Sequence, residues 1–121
     1  MSATTACIAT MLEAWNTPDP AALRTLAAAA LTADAEFVDP HNDIRGVDAF
    51  VAMVEAFQRK YAGARIARTS GIDLHHDRAR YAWSVTLADG RRLDGFDAVA
   101  LDLAQGRVRR IDGFFGPLPA L

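Results

Sequence analysis

The sequence holds very little that could staple the chain, span a bilayer or attract a polyanion. Its single cysteine, Cys7, cannot close an intramolecular disulfide. A reducing, cytoplasmic setting is the simplest expectation. With Ile8, Met11 and Leu12 for neighbours, Cys7 reads as a small buried hydrophobe rather than a reactive thiol. No apolar stretch approaches the ~18 residues of a membrane span, and the alanine run at 27–30 is far too short. The N-terminus has neither the basic flank nor the apolar core of a signal peptide. Neither sign of charge dominates: 13 Lys and Arg face 15 Asp and Glu, for a formal net charge of −2. That mixture builds no basic footprint, which sets nucleic-acid binding aside. A glycine-rich phosphate loop, a nucleophile elbow and a thiol–imidazole pairing are also missing.

What is present suits a soluble globular protein, with 51% of residues apolar and 23% charged. The length of 121 residues fits one domain, expected to cover 1–121 without linker or internal repeat. Ile8, Leu12 and Trp15 recur at i, i+4 and i+7 and predict a first helix. Asp19 before Pro20 is placed to cap a second helix carrying Leu23, Leu26 and Ala30, which fades at 32–34. A short strand over 35–38 stops at Asp39-Pro40. A third helix runs from about Gly46 to Tyr61, with Phe50, Val54 and Phe57 on its buried face and Gly63 as its C-cap.

From Ala64 onward the period changes to two. Ile66, Ile72 and Leu74 alternate with polar or small residues. So do Ala79, Tyr81, Trp83, Val85 and Leu87. Ala88-Asp89-Gly90 predicts a hairpin turn, followed by strands over 92–103 and 107–115. Helices followed by antiparallel hairpins make an α+β layout.

Three stretches in this order resemble the SnoaL-like branch of the nuclear-transport-factor-2-like superfamily. They are FVDPHNDIRGVDAF (37–50), RTSGIDLHHDRARYAW (68–83) and GFDAVALDLAQGRVRRIDGFFG (95–116). With the helical start, the resemblance covers nearly the whole chain. It implies a cone-shaped barrel, a curved antiparallel sheet closed by three N-terminal helices around a cavity. Members include ketosteroid isomerases, polyketide cyclases, epoxide hydrolases and dehydratases, so the fold alone does not name a reaction.

The same resemblance places Asp97 at the oxyanion-side aspartic acid of the ketosteroid isomerases and Asp39 at their general base. Their tyrosine on the first helix is replaced by Met11, which argues against steroid isomerisation. Independently of any relative, Asp97 stands out as a carboxylate between apolar strand neighbours, and burial there would raise its pKa. Asp39 reads equally as a turn-ordering residue before Pro40. His41 is a second candidate base on the same loop. Arg68 shares a strand phase with Ile66 and Ile72. It either points inward, to pair with Asp97 or hold an anionic substrate group, or covers the sheet edge.

Trp15, Met53, Phe57, Tyr81, Trp83, Ile111 and Phe115 are the expected apolar lining. The adjacent His75 and His76 are expected on opposite faces of a strand, so no metal site is read from them. The sequence therefore points to a small apolar organic ligand and to cofactor-independent acid–base chemistry, as isomerase, cyclase, dehydratase or hydratase. The competing readings are a non-catalytic binding module for a hydrophobic metabolite and a structural dimerisation domain. A homodimer is expected through the outer sheet face at Phe96, Ala98, Ala100 and Phe114.

Overall fold

A computed structural model describes residues 3–121. After a 3-10 turn at Ala3–Thr5 come α1 (Ala6–Trp15) and α2 (Pro20–Ala30). The chain continues as β1 (Leu31–Asp39), β2 (Asn42–Arg45) and α3 (Val47–Lys60). It ends as β3 (Arg65–Arg68), β4 (Asp73–His75), β5 (Arg78–Thr86), β6 (Arg92–Asp102) and β7 (Arg107–Phe115). Three helices thus pack against one curved, open, mixed sheet of seven strands, ordered β2-β1-β7-β6-β5-β3 with β4 also on β5.

Each helix forms for a reason visible in its residues. The Asp19 Oδ2 atom accepts the Ala22 N–H at 2.9 Å, and Pro20 occupies the first turn, where its missing N–H costs nothing. Leu23, Ala27 and Ala30 then bury one stripe, and the small alanines let α2 lie close on α1. On α1 the stripe is Ile8, Met11, Leu12 and Trp15. In α3, Asp48 in the first turn and Arg59 and Lys60 in the last complement the helix dipole.

The structure departs from the local pattern in four places. First, α2 does not fade: Leu31 turns directly to extended geometry, and β1 begins there rather than at Ala35. Second, β2 is an additional strand, paired antiparallel to β1 through Phe37 and Ile44. Third, β1 pairs with β7 in parallel, the one exception in an otherwise antiparallel sheet. Fourth, α3 ends at Tyr61 in negative-φ geometry, and Gly63 (φ 83°) serves the turn beyond it.

Register shifts between Leu31 and Glu36 on β1, and between Ala100 and Leu101 on β6, mark irregularities where the sheet bends. On the inner face, α1 packs against β3 and β7, and α3 against β1 and β2. At the far edge, Asn16 clamps β3 to the end of α1. Its Nδ2 donates to the Ile66 carbonyl and its Oδ1 accepts the Ile66 N–H, both at 2.8 Å. Among the described residues, no helix is long and apolar enough to cross a membrane.

Candidate functional site

Register decides which side chains meet. Asp97 on β6 stands opposite Tyr81 on β5 and opposite Gly113 on β7. Val38 on β1 pairs with Asp112, so Asp39, one step further, comes alongside Gly113. A methyl group at Gly113 would lie 3.1 Å from the Asp39 Cβ and 3.2 Å from Asp97 Oδ1. The glycine thus keeps open a gap between two carboxylates carried by two different strands.

Asp97 is only 6% exposed, yet both its oxygens are occupied. The Tyr81 hydroxyl donates to Oδ2 at 2.8 Å, and the Trp83 indole N–H donates to Oδ1 at 2.9 Å. Burial pushes the carboxyl up to about 6, the two donors pull against that rise, and the Asp39 charge adds to it. Tyr81 is pushed well above its ordinary range, chiefly by burial and then by the charge and hydrogen bond of Asp97.

Asp39 is at once a turn residue and a cavity residue. Its Oδ1 accepts the His41 backbone N–H at 2.9 Å and the Asn42 side-chain amide at 3.0 Å, as a turn residue does. It also lines a cavity of about 610 Å³, together with Asp97 and Gly113. His41 is at the cavity too, with its ring 5.3 Å from that of Phe115. Trp15, Met53, Phe57, Trp83 and Phe115 supply apolar wall. Trp15 and Phe57 meet edge to face at 5.4 Å, and Trp83 meets Phe115 likewise at 5.9 Å.

Three expected site residues lie elsewhere. Tyr81 is behind the wall, reaching the site only through Asp97. Ile111 is fully buried in the core without bordering the cavity. Arg68 is exposed on β3, where its guanidinium donates to the Ser70 carbonyl; it neither borders the cavity nor pairs with Asp97. The nearby backbone carbonyl satisfies it locally, so strand phase alone misleads there. Met11 is fully buried, so α1 presents no hydroxyl at that point.

The imidazoles of His75 and His76 do not diverge. His76 has left the strand for a turn at φ 50°, which brings the two Nδ1 atoms within 3.2 Å. No cluster of three or more metal-ligating side chains occurs among the described residues. Sequence reasoning missed Gly113, whose signal was a glycine inside an alternating strand. It also missed Lys60, Arg91 and Arg92, three cations that border the same cavity.

No protein-family model matches the chain, and no curated protein matches it significantly. Solved structures do. A protein of the SnoaL-like family from Agrobacterium tumefaciens C58, described as a candidate isomerase, is 30% identical with a TM-score of 0.87. The match covers 97% of this chain and 100% of that one. A Kribbella flavida protein described as a candidate ketosteroid isomerase is 20% identical, with a TM-score of 0.70 over 98% of this chain and 82% of its own. An NTF2-like protein of unknown function from Cytophaga hutchinsonii has a TM-score of 0.70 at 13% identity, covering 94% of this chain and 90% of its own. The last two likenesses concern the fold alone.

Proposed function

The chain belongs to the SnoaL-like family, and from that premise we propose that it is a cofactor-independent acid–base enzyme acting on a small, largely apolar carbonyl compound. The observation that carries this reading is the pair of carboxylates, Asp39 and Asp97, flanking the gap at Gly113 on one cavity wall. A hydrogen on a carbon next to a carbonyl is acidic only if the enolate oxygen is stabilised as it forms. Asp97, desolvated and with a pKa of about 6, donates a hydrogen bond to that oxygen in its protonated form. Asp39 takes the proton from carbon. Returning the proton to a different carbon gives isomerisation, and attack of the enolate on a second carbonyl gives cyclisation. The Tyr81 hydroxyl and Trp83 indole hold Asp97 in place, so the donor need not reorganise as charge develops.

The test needs no knowledge of the product. Small cyclic and aromatic ketones are incubated with the protein in D2O, and deuterium uptake at the carbon next to the carbonyl is followed by mass spectrometry. Catalysed exchange is expected to weaken as pH rises through about 6, because the protonated Asp97 is lost. Asp39→Asn is expected to lower it by at least a hundredfold, the scale of a lost general base. Ketones that bind without any exchange would leave a binding module as the better reading.

We further propose a homodimer through the outer sheet face. Phe96 and Phe114 stand opposite each other across β6 and β7, 51% and 62% exposed, with Ala98 beside them. Exposed paired phenylalanines at the middle of a sheet favour a covering surface. Ala100, expected on the same face, is buried within the chain at the β6 irregularity and drops out of this surface. Light scattering at micromolar concentration should give twice the chain mass; a monomer mass removes the dimer.

A further inference from the structure

The charges around the cavity are sorted by position. Its acidic members, Asp39 and Asp97, sit together at the Gly113 gap. Its cationic members are Lys60, at the end of α3, and Arg91 and Arg92, at the start of β6. Arg91, just before β6, lies six residues from Asp97 in the same strand phase, roughly 20 Å at the usual strand rise. Apolar wall fills the interval, including Val85, Leu87 and Leu93 from the β5–β6 hairpin and Ile66 from β3. The helix on the other side repeats the gradient. Met53, Ala56, Phe57 and Lys60 follow one another along a single face of α3, and all four border the cavity.

Two of the three cations are ion-paired, each through one nitrogen, and the third is not. Arg91 meets Asp89 and Arg92 meets Asp94, each through Nε, at 2.7 and 2.6 Å. Neither of those aspartates borders the cavity. Lys60 has no carboxylate partner among the described residues, and its ammonium lies 5.4 Å from the Tyr61 ring centroid. The α3 dipole favours a cation in the last turn. It does not account for that cation continuing the cavity face begun by Met53 and Phe57.

We infer that the compound bound here is an amphiphilic anion: an apolar skeleton with its reactive carbonyl at Asp97 and Asp39 and a carboxylate at Lys60, Arg91 and Arg92. This rests on the reading of the cavity as a substrate site, and names the substrate class. The carboxylate anchors the far end, and the apolar interval sets the length of skeleton that places the carbonyl at the gap. A single orientation follows, because the reversed molecule would set its carboxylate against Asp39 and Asp97.

Both tryptophans of the chain, Trp15 and Trp83, border the cavity, so intrinsic fluorescence reports occupancy directly. Decanoate and decanamide, equal in chain length and different in charge, are titrated at low ionic strength. Decanoate is expected to bind at least tenfold more tightly. The preference should shrink with added salt, disappear when Lys60→Gln, Arg91→Gln and Arg92→Gln are combined, and survive in Lys60→Arg. Equal affinity for the two probes overturns the anion assignment while leaving the cavity reading intact. A preference that persists in the triple variant also overturns it. If neither probe binds, the substrate-site reading falls with it.

Discussion

Asp97→Asn is expected to leave the protein more stable at neutral and alkaline pH, and without proton-transfer activity. The folded-state pKa of Asp97 is about 6, against roughly 3.9 for an aspartate in an unfolded chain. The folded protein therefore binds this proton more tightly than the unfolded chain does. The sign follows: the contribution is most favourable below pH 4 and is lost as pH rises through about 6. The lost stability amounts to about 3 kcal/mol above pH 7, at 1.36 kcal/mol per unit. Asparagine removes the buried charge and keeps the shape. Its carbonyl oxygen can accept from Trp83, and its amide can donate to the Tyr81 oxygen once that hydroxyl turns. Urea denaturation at pH 8 should show the variant ahead by about 3 kcal/mol, with the gap closing by pH 4. A variant less stable than the parent at pH 8 would mean that the ionised carboxylate supports the fold. A gain in stability with a loss of turnover would identify a residue kept at a folding cost.

Gly95→Ala is expected to cost about 3 kcal/mol, the upper end for overpacking a filled site. Gly95 stands directly opposite Trp83 across β5 and β6. An added methyl would overlap the six-membered ring of the indole and come within 2.5 Å of the Phe114 carbonyl oxygen. That oxygen belongs to the backbone of β7, so it cannot swing aside as a long side chain could. Either β6 and β7 part locally or the indole tilts, and a tilted indole withdraws its N–H from Asp97. The chemical-denaturation midpoint should fall sharply, with a shift in tryptophan emission. Gly71 serves as the control, since nothing lies within 4 Å of a methyl there and its φ is not in the left-handed region. Similar losses in the two variants would show that backbone entropy, rather than the Trp83 contact, sets the cost.

Local signals carried the helices well. Asp19-Pro20 announces where α2 begins, and the buried stripes of α1 and α2 follow directly from residue spacing. Strand β2 has no such signal, because Asn42-Asp43-Ile44-Arg45 offers one apolar residue and depends on β1 for its pairing. The parallel contact of β1 with β7 joins residues more than seventy positions apart, beyond the reach of any local pattern. At the candidate site, Asp97 was visible as a charge among apolar strand residues. Its partners were visible only as aromatics, since alternation says which face Tyr81 and Trp83 take but not that their polar tips meet one carboxylate. The cations at the cavity's other end read along the chain as ordinary solvated residues. Only folding brings Lys60 from a helix and Arg91 and Arg92 from a hairpin to the border of one cavity.

The Asn16 clamp on β3 bears on how the protein behaves in a crowded solution. Strand β3 lies at the end of the sheet, and such a strand ordinarily offers its outward N–H and C=O groups to any extended segment that drifts past. Both groups of Ile66 are already held by one side chain of the same molecule. A foreign strand could lengthen the sheet there only after displacing two good hydrogen bonds, and Arg65 and Arg68 place charge on either side. The contact that fastens a helix to the cavity wall thereby also guards this edge of the open sheet against growing into an aggregate.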